Sequence, residues 1–246
     1  MRNNLKAPQG RSKKVRRLDD DTPFAIREAF NQLRTNLMYT SNDQDGCPAY
    51  GITSAEISVG KSTVSANIAI SFSQLGKKVL IVDADMRRPA QHRIFGYHKK
   101  QAGLSELLTG IENDDKKVLS NPADNLFVIT SGCIPPNPSE LLLSKKFGEF
   151  VSKWKQEYDI IFIDLPPVGI VTDPIIVAKD INGYIFVTLA NFSDAIRVNR
   201  AIEAIENVGG KITGIVVNGN SRKGAAYSSK KNHYKYSYSY TDNSDD

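Results

Sequence analysis

The sequence is poor in the side chains that build disulfides and structural zinc sites. Its 246 residues include only two cysteines, Cys47 and Cys133, and three histidines. The two cysteines form no Cys-x-x-Cys pair. A disulfide scaffold or a structural zinc site is therefore not expected, and a reducing cytosol is the compartment that this cysteine usage indicates.

Long apolar runs are also missing. The longest, such as Val79–Val82 and Ile160–Ile163, are far shorter than the ~20 residues that cross a bilayer. The basic N-terminus leads into no apolar stretch, so a secretory signal is not expected. With 40% hydrophobic and 24% charged residues, the chain has the composition of a folded globular protein.

The first 17 residues lack acidic side chains. They hold seven of the 32 basic residues, which leaves 25 basic against 27 acidic residues in the rest of the chain. We therefore interpret residues 1–21 as a basic, flexible arm. Such an arm suits an anionic membrane surface and would also attract nucleic acid. A solvated leader without a partner is the alternative.

The middle of the chain, residues 22–220, alternates helix and strand patterns. Thr22 and Pro23 are typical of a helix start, and an amphipathic helix is predicted over 22–40. Apolar runs typical of strands follow at 50–53, 79–82, 126–129, 160–163, 184–188 and 212–217. Amphipathic, helix-length stretches lie between most of them, at 61–75, 139–157 and 193–208. This alternation predicts an α/β domain with a mostly parallel sheet and helices on both faces.

A phosphate-binding pattern follows the first predicted strand. Residues 55–62 nearly match Gly-x-x-x-x-Gly-Lys-[Ser/Thr], with Ala55 in place of the first glycine. In this motif, backbone N–H groups and a helix N-terminus converge on phosphate oxygens. The Lys61 ammonium would reach the β- and γ-phosphates, and the Ser62 hydroxyl would ligate Mg²⁺. The predicted ATP-binding residues are Ser58, Val59, Gly60, Lys61, Ser62 and Thr63.

Two further predicted strands end in acidic residues. The strand at 79–82 leads into Asp83 and Asp85, and the strand at 160–163 leads into Asp164. Ligands of parallel sheets bind at the carboxyl ends of the strands, and carboxylates delivered there hold Mg²⁺ directly or through water. Asp164 is the Walker B candidate.

The predicted site therefore combines the phosphate turn with these acids. Its predicted metal ligands are Ser62, Asp83 and Asp164, and its predicted catalytic residues are Lys61, Asp83 and Asp85. Arg87 and Arg88 follow in the same motif, where they could contact phosphate or another subunit.

Taken together and in this order, the motifs resemble those of bacterial tyrosine kinases. They comprise residues 60–63, 82–89, 132–142 and 163–167 and the Tyr-rich C-terminal segment. More narrowly, the chain resembles the separate cytoplasmic kinase subunit of Gram-positive capsular or exopolysaccharide systems. The resemblance implies a P-loop NTPase-like fold similar to MinD and ParA, with ATP and Mg²⁺ as ligands. It also implies that Asp83 or Asp85 helps to ligate Mg²⁺ and activates the acceptor tyrosine.

The resemblance further implies a set of partners. These are a transmembrane activator on a separate chain, further copies of the chain in a ring, and a cognate tyrosine phosphatase, with no specific nucleic acid. It also implies a cytoplasmic protein recruited to the inner face of the plasma membrane. The family's Glu-x-x-Arg-x-x-Arg oligomerisation motif is matched by Glu28 and Arg34, while Asn31 replaces the middle arginine.

One departure from the family lies in the phosphate turn. The family usually has Pro-Gly-x-Gly-Lys-Ser, whereas this chain has Ser58 at the position of the first glycine. If that position needs a positive φ, serine would be strained by roughly 1–2 kcal/mol, about a tenfold loss of affinity.

The C-terminal segment, residues 221–246, is rich in Ser, Lys, Asn and Tyr and predicts a disordered tail. Five of the ten tyrosines lie there, and they are the predicted autophosphorylation sites: Tyr227, Tyr234, Tyr236, Tyr238 and Tyr240. A phenol has a pKa near ~10, so it needs a nearby base to attack phosphorus at neutral pH. Asp83 or Asp85 is placed to be that base.

Three functions compete at this point. The first is an autophosphorylating tyrosine kinase that regulates polysaccharide synthesis or export. The second is a MinD- or ParA-like ATPase switch, which has no need of five clustered tyrosines. The third is a degenerate kinase that acts as a scaffold, and the altered turn at residues 57–59 is its best support.

Overall fold

A computed structural model describes residues 17–40, 46–98 and 101–219 of the chain. Its α-helices are α1 (Phe24–Thr40), α2 (Lys61–Ser73), α3 (Gln91–Phe95), α4 (Leu104–Thr109), α5 (Pro138–Leu143), α6 (Lys145–Glu157), α7 (Asp173–Ile176) and α8 (Ala195–Glu206). Its strands are β1 (Ala49–Thr53), β2 (Val79–Asp83), β3 (Leu119–Ala123), β4 (Leu126–Ile129), β5 (Ile160–Asp164), β6 (Gly183–Leu189) and β7 (Ile212–Asn218). Short 3₁₀ turns lie at Asp115–Lys117 and Val177–Asp180.

The strands form one sheet in the order β3-β4-β2-β5-β1-β6-β7. Each neighbouring pair is parallel except β3 and β4, which are antiparallel. Strands β1, β2 and β5 are buried along their whole length, which explains why their sequences are apolar without alternation. The predicted α/β fold with a mostly parallel sheet is confirmed.

Helices cover both faces of this sheet. On one face, α1 and α2 enclose a core that includes Phe72 and Phe162. On the other face, α4, α5, α6 and α8 enclose a core that includes Phe147, Trp154 and Ile205. The carboxyl ends of β1, β2 and β5 therefore meet at one edge of the sheet, between the two helical layers.

All six predicted strands are present, within two residues of their expected ends. The seventh, β3, was missed because its sequence, Leu-Ser-Asn-Pro-Ala, has weak strand propensity. It lies at the edge of the sheet, where a proline is tolerated.

The helices differ from prediction in three places. The helix predicted over 139–157 is divided at Ser144, whose extended backbone (φ −61°, ψ 150°) ends α5 and begins α6. Helix α2 ends at Ser73 and is buried on nearly all sides instead of being amphipathic, because it lies between the sheet and α1. The Thr22 hydroxyl donates to Asp19 Oδ1 (2.8 Å) instead of capping α1, and the Pro23 carbonyl accepts the first helical hydrogen bonds.

The predicted arm and tail fall mostly outside the described residues. At the end of the arm, Leu18 is buried in the core beneath α1 and α2, and its N–H donates to Asn67 Oδ1 (2.6 Å). The packed chain therefore begins before residue 22. Between residues 17 and 219, the described helices include none that is long and apolar enough to span a membrane.

Candidate functional site

The phosphate turn joins β1 to α2, as predicted. Ser58 adopts a left-handed backbone with φ 62°, which is the conformation that the family's glycine accommodates without strain. Gly60 has φ 94°, and a Cβ there would lie 2.2 Å from Asn218 Nδ2. Asn218, at the end of β7, donates from that nitrogen to the Val59 carbonyl (2.9 Å). The turn is therefore held by the last residue of the edge strand β7, a residue that the sequence analysis missed.

Lys61 is the first residue of α2 and is buried. Its Nζ lies 4.0 Å from Asp85 Oδ2, so the turn's ammonium group faces an acid from the segment after β2. Ser62 and Thr63 follow in the first turn of the helix and remain half-buried. This arrangement places a cation, helix N–H groups and a hydroxyl at one point, which is the chemistry that binds a polyphosphate.

Asp83 and Asp164 lie side by side at the ends of β2 and β5, paired in register and without solvent exposure. Asp83 Oδ2 accepts hydrogen bonds from the backbone N–H groups of Ala90 (3.0 Å) and Gln91 (2.9 Å). Burial, and next the negative charge of Asp164, raise the pKa of Asp83 well above its ordinary value. The predicted acids therefore meet in a protein environment that opposes their ionisation.

Asp164 is held by side chains from α2 and α3. Its Oδ1 accepts from Ser65 Oγ (3.2 Å), and its Oδ2 accepts from Gln91 Nε2 (2.8 Å). Burial raises the pKa of Asp164, while the Lys61 ammonium and hydrogen bonds from Ser62 and Gln91 oppose that rise. The Walker B candidate thus contacts both the phosphate helix and α3.

Gln91 was not predicted, although it bonds to Asp83, Asp164 and Ser62. Besides Asp164, its Nε2 donates to the Ser62 carbonyl (3.1 Å). It lies eight residues beyond Asp83, and no spacing rule marks a glutamine at that distance. Asn218 is different, because it ends a strand at the same edge as the acids and the carboxyl-end rule would have found it.

Arg87 has an intramolecular partner. Its Nε and one terminal nitrogen donate to the two carboxylate oxygens of Asp173 (2.8 and 2.9 Å), and it also donates to Ser139 Oγ (2.8 Å). Asp173 is fully buried at the start of α7. These bonds fasten the segment that carries Asp85 to α5 and α7. They are neither of the two contacts considered for Arg87 in the sequence analysis, which were phosphate and another subunit.

The residues fit a magnesium–nucleotide complex. Two buried acceptors in the cluster, Asp83 Oδ1 and Gln91 Oε1, have no hydrogen-bond partner among the described residues. In those same ranges, no group of three or more His, Cys, Asp or Glu side chains is placed to hold a metal ion by itself. Mg²⁺ typically takes one or two protein carboxylates and completes its shell with water and substrate phosphates. Ser62, Asp83 and Asp164 are the residues that would hold it here.

The predicted oligomerisation residues lie on α1. Arg34 donates to the Ser71 carbonyl (2.7 Å) and to Ser71 Oγ (2.9 Å), which fastens α1 to α2. Exposed Glu28 accepts from Asn31 Nδ2 (2.8 Å). Both contacts are within the chain. The five predicted tail tyrosines lie outside the described residues.

The fold and this site define a P-loop nucleotide-binding protein. A protein-family model described as "ParA: NUBPL iron-transfer P-loop NTPase" matches residues 49–239. The chain is 37% identical over 199 residues to the "Putative tyrosine-protein kinase CapB" of Staphylococcus aureus, covering 81% of this chain and 86% of that protein. It is 35% identical over 192 residues to the "Tyrosine-protein kinase YwqD" of Bacillus subtilis, covering 78% and 80%.

A solved structure agrees with these relatives. The kinase domain of Escherichia coli tyrosine kinase ETK superposes with a TM-score of 0.77 at 29% identity, covering 93% of this chain and 89% of that one. The chain therefore belongs to the bacterial tyrosine kinases, within the ParA-like P-loop NTPases. The resemblance drawn from the motifs is confirmed, and the family supports nucleotide binding and a kinase role in general.

Proposed function

We propose that the protein is an ATP-dependent tyrosine kinase that autophosphorylates its C-terminal tyrosine cluster and thereby regulates capsular or exopolysaccharide synthesis or export. The observation that carries the proposal is the Lys61–Asp85 contact of 4.0 Å beside the buried Asp83–Asp164 pair. A phosphate turn with a lysine, carboxylates that can ligate Mg²⁺, and a residue that can act as base are recurring parts of phosphoryl-transfer sites. The named tyrosine kinases among its relatives support the same reaction.

The turn would bind the triphosphate. Backbone N–H groups of residues 58–63 face the phosphate oxygens, and the Lys61 ammonium binds the β- and γ-phosphates. Ser62, Asp83 and Asp164 would hold Mg²⁺, which would supply positive charge to offset the charge on the transferring group. Buried acids and a buried ammonium group strengthen these interactions, because little water screens them.

Asp85 is the candidate base. Its Oδ2 lies 4.0 Å from Lys61 Nζ, and its Oδ1 accepts from one backbone N–H group, that of Arg88 (2.9 Å). Asp83, by contrast, is held by two backbone N–H donors. A tail phenol oxygen attacks the γ-phosphorus, and its proton passes to the Asp85 carboxylate. The bond between that phosphorus and the β–γ bridging oxygen breaks, ADP leaves, and phosphotyrosine remains.

The proposed partners follow from the family. A transmembrane activator on a separate chain would bring the kinase to the inner face of the plasma membrane, with the basic arm binding anionic lipid. Copies of the chain would assemble in a ring, so that the tail of one copy reaches the site of the next, with Glu28 and Arg34 on the assembling helix. A cognate phosphatase would reverse the modification.

Substituting Lys61 tests the catalytic claim. In the presence of Mg²⁺-ATP and the activator's cytoplasmic segment, Lys61→Met should lower tail phosphotyrosine at least ~100-fold, because the charge that binds the β- and γ-phosphates is lost. Lys77→Met is the matched control, since exposed Lys77 precedes β2 at the opposite edge of the sheet. It should retain full activity, measured by mass spectrometry of the tail.

The same assay separates the alternatives. Phosphotyrosine that depends on Lys61 supports the kinase. ATP hydrolysis without phosphotyrosine would favour the MinD- or ParA-like switch, and the absence of both, with the activator present, would favour the scaffold.

A further inference from the structure

Gln91 occupies the centre of the candidate site. It begins α3, is fully buried, and its backbone N–H donates to Asp83 Oδ2 (2.9 Å). Its side-chain nitrogen donates to Asp164 Oδ2 (2.8 Å) and to the Ser62 carbonyl (3.1 Å). One residue therefore bonds to both strand-end acids and to the serine of the phosphate turn.

The side-chain nitrogen of Gln91 has hydrogen-bond partners, whereas its side-chain oxygen has none among the described residues. An amide nitrogen has two hydrogens, and both are taken by Asp164 and Ser62. The amide oxygen is buried and has no partner among the described residues, and the same is true of Asp83 Oδ1. Two unpartnered acceptors in one buried cluster are unfavourable unless a donor or a cation reaches them.

The chemistry of the cluster indicates which donor that is. Waters bound to Mg²⁺ are strongly polarised donors, and Mg²⁺ in nucleotide sites usually keeps several of them. A neutral amide oxygen beside two carboxylates accepts from such a water without adding a third negative charge. Glutamate at this position could not donate to Asp164, and leucine could neither donate nor accept.

We propose that Gln91 is a positioning residue of the metal–nucleotide site. Its nitrogen fixes Asp164 relative to Ser62, and its oxygen accepts a hydrogen bond from the hydration shell of the bound cation. The proposal rests on the proposed function in one respect, namely that the wild-type chain binds a magnesium–nucleotide complex.

The test compares nucleotide binding with and without metal in the full chain. ADP affinity is measured by calorimetry in EDTA and in Mg²⁺, and Mn²⁺ binding to the ADP complex is measured by electron paramagnetic resonance. For Gln91→Leu, we expect Mn²⁺ affinity in the ADP complex to fall about tenfold, since hydrogen bonds to charged groups are lost. Metal-free ADP affinity should change less than about threefold.

Gln101→Leu is the matched control. Gln101 is half-buried outside the site, and its Nε2 donates to Ser120 Oγ (2.8 Å). This variant removes a similar side-chain hydrogen bond and should bind Mn²⁺ and ADP as the wild type does.

Each outcome decides between a positioning and a merely structural role. Equal losses of metal-free and metal-bound nucleotide, or unchanged Mn²⁺ affinity in a folded Gln91→Leu, overturn the proposal. If Gln91→Leu gives no cooperative melt, Gln91→Asn takes its place. Asparagine keeps the amide but is too short to bridge Asp164 and the Ser62 carbonyl. It must show the same loss of Mn²⁺ affinity without a matching loss of metal-free ADP affinity. A wild-type chain that binds neither Mg²⁺-ADP nor Mn²⁺-ADP contradicts the proposed function instead.

Discussion

Buried carboxylates occur in two kinds of surroundings in this molecule. Asp115, against α6, accepts from Lys153 Nζ (2.7 Å) and from Trp154 Nε1 (2.7 Å). Burial acts to raise the pKa of Asp115, but these two bonds outweigh it, and the pKa is lowered. Asp83 has no cationic partner of this kind within residues 17–40, 46–98 and 101–219, lies beside Asp164, and has a raised pKa.

The difference separates a structural acid from a functional one. The protein satisfies the charge of Asp115, so ionisation of that group stabilises the fold. It satisfies the charge of Asp83 only in part: two backbone N–H groups donate to Oδ2, while Oδ1 has no partner among the described residues. That costs stability in the absence of a cation. Unfavourable electrostatics held at a site in this way are typical of ligand and catalytic centres, where the ligand removes the penalty.

Asp83→Asn is the substitution with the largest expected effect on the comparison between Asp83 and Asp115. We expect phosphotyrosine formation to fall at least ~100-fold, because a metal ligand is lost, while the free energy of unfolding rises by about 1–2 kcal/mol as a buried charge is removed. The folded pKa of Asp83 is raised, so its ionisation penalty is absent at low pH and grows as pH rises through the folded pKa. The stability gain should therefore be larger at pH 8 than at pH 5, as measured by urea denaturation without nucleotide.

A lower stability of Asp83→Asn at pH 8, with native structure retained, would show that the wild-type carboxylate is satisfied within the protein. The comparison with Asp115 would then fail.

Asp115→Asn should change stability in the opposite direction, and its overall effect should be smaller. Stability at pH 7 should fall by about 1–2 kcal/mol, a modest value because Lys153 is 44% exposed and water screens its charge. The folded pKa of Asp115 is lowered, so its contribution is present above the ordinary carboxyl pKa of about 3.9 and is lost as pH falls through the folded value. The loss caused by the substitution should thus shrink towards pH 3, and kinase activity at 25 °C should be unchanged. A change in nucleotide affinity would mean that Asp115 is coupled to the site.

How much of the site can be predicted from the sequence depends on how far apart in the chain the interacting residues lie. Asp83 and Asp164 follow from local patterns, since a strand that ends in a polar residue delivers it to a known edge of the sheet. Lys61 follows from the motif of the phosphate turn. Gln91 bonds to Asp164, 73 residues away in the chain, and Asn218 bonds to Val59 across 159 residues. The carboxyl-end rule would have placed Asn218 at the edge of the sheet that carries the site, but neither hydrogen-bonded pairing follows from residue spacing, because both depend on the tertiary fold.

The same limit applies to the fold: elements with a strong local pattern were predicted, and elements without one were missed. Strands with continuous apolar runs were found because burial on both faces demands them. Strand β3 was missed, since antiparallel pairing at an edge needs little hydrophobicity. The break at Ser144 was also missed, because a single extended residue inside a helical pattern leaves the apolar periodicity almost unchanged.

The smallest expected effect concerns strain in the phosphate turn. Ser58 has φ 62°, so the condition stated in the sequence analysis is met, and a left-handed serine costs roughly 1–2 kcal/mol. Ser58→Gly should therefore raise ATP affinity by up to about tenfold in calorimetry, provided that the turn takes this conformation chiefly when the nucleotide is bound. If the strain is present equally with and without nucleotide, the substitution raises the melting temperature and leaves affinity unchanged.

Asn125→Gly is the control that distinguishes these results. Asn125 has φ 59° in the turn between β3 and β4, outside the phosphate turn. Its replacement relieves backbone strain of the same kind without touching the site, but less of it, because asparagine tolerates the left-handed region better than serine. We expect it to alter thermal stability and to leave ATP affinity as in the wild type. If Ser58→Gly changes affinity no more than Asn125→Gly does, serine in the turn carries no cost for binding. The departure from the family's glycine then gives no support to a degenerate, non-catalytic kinase.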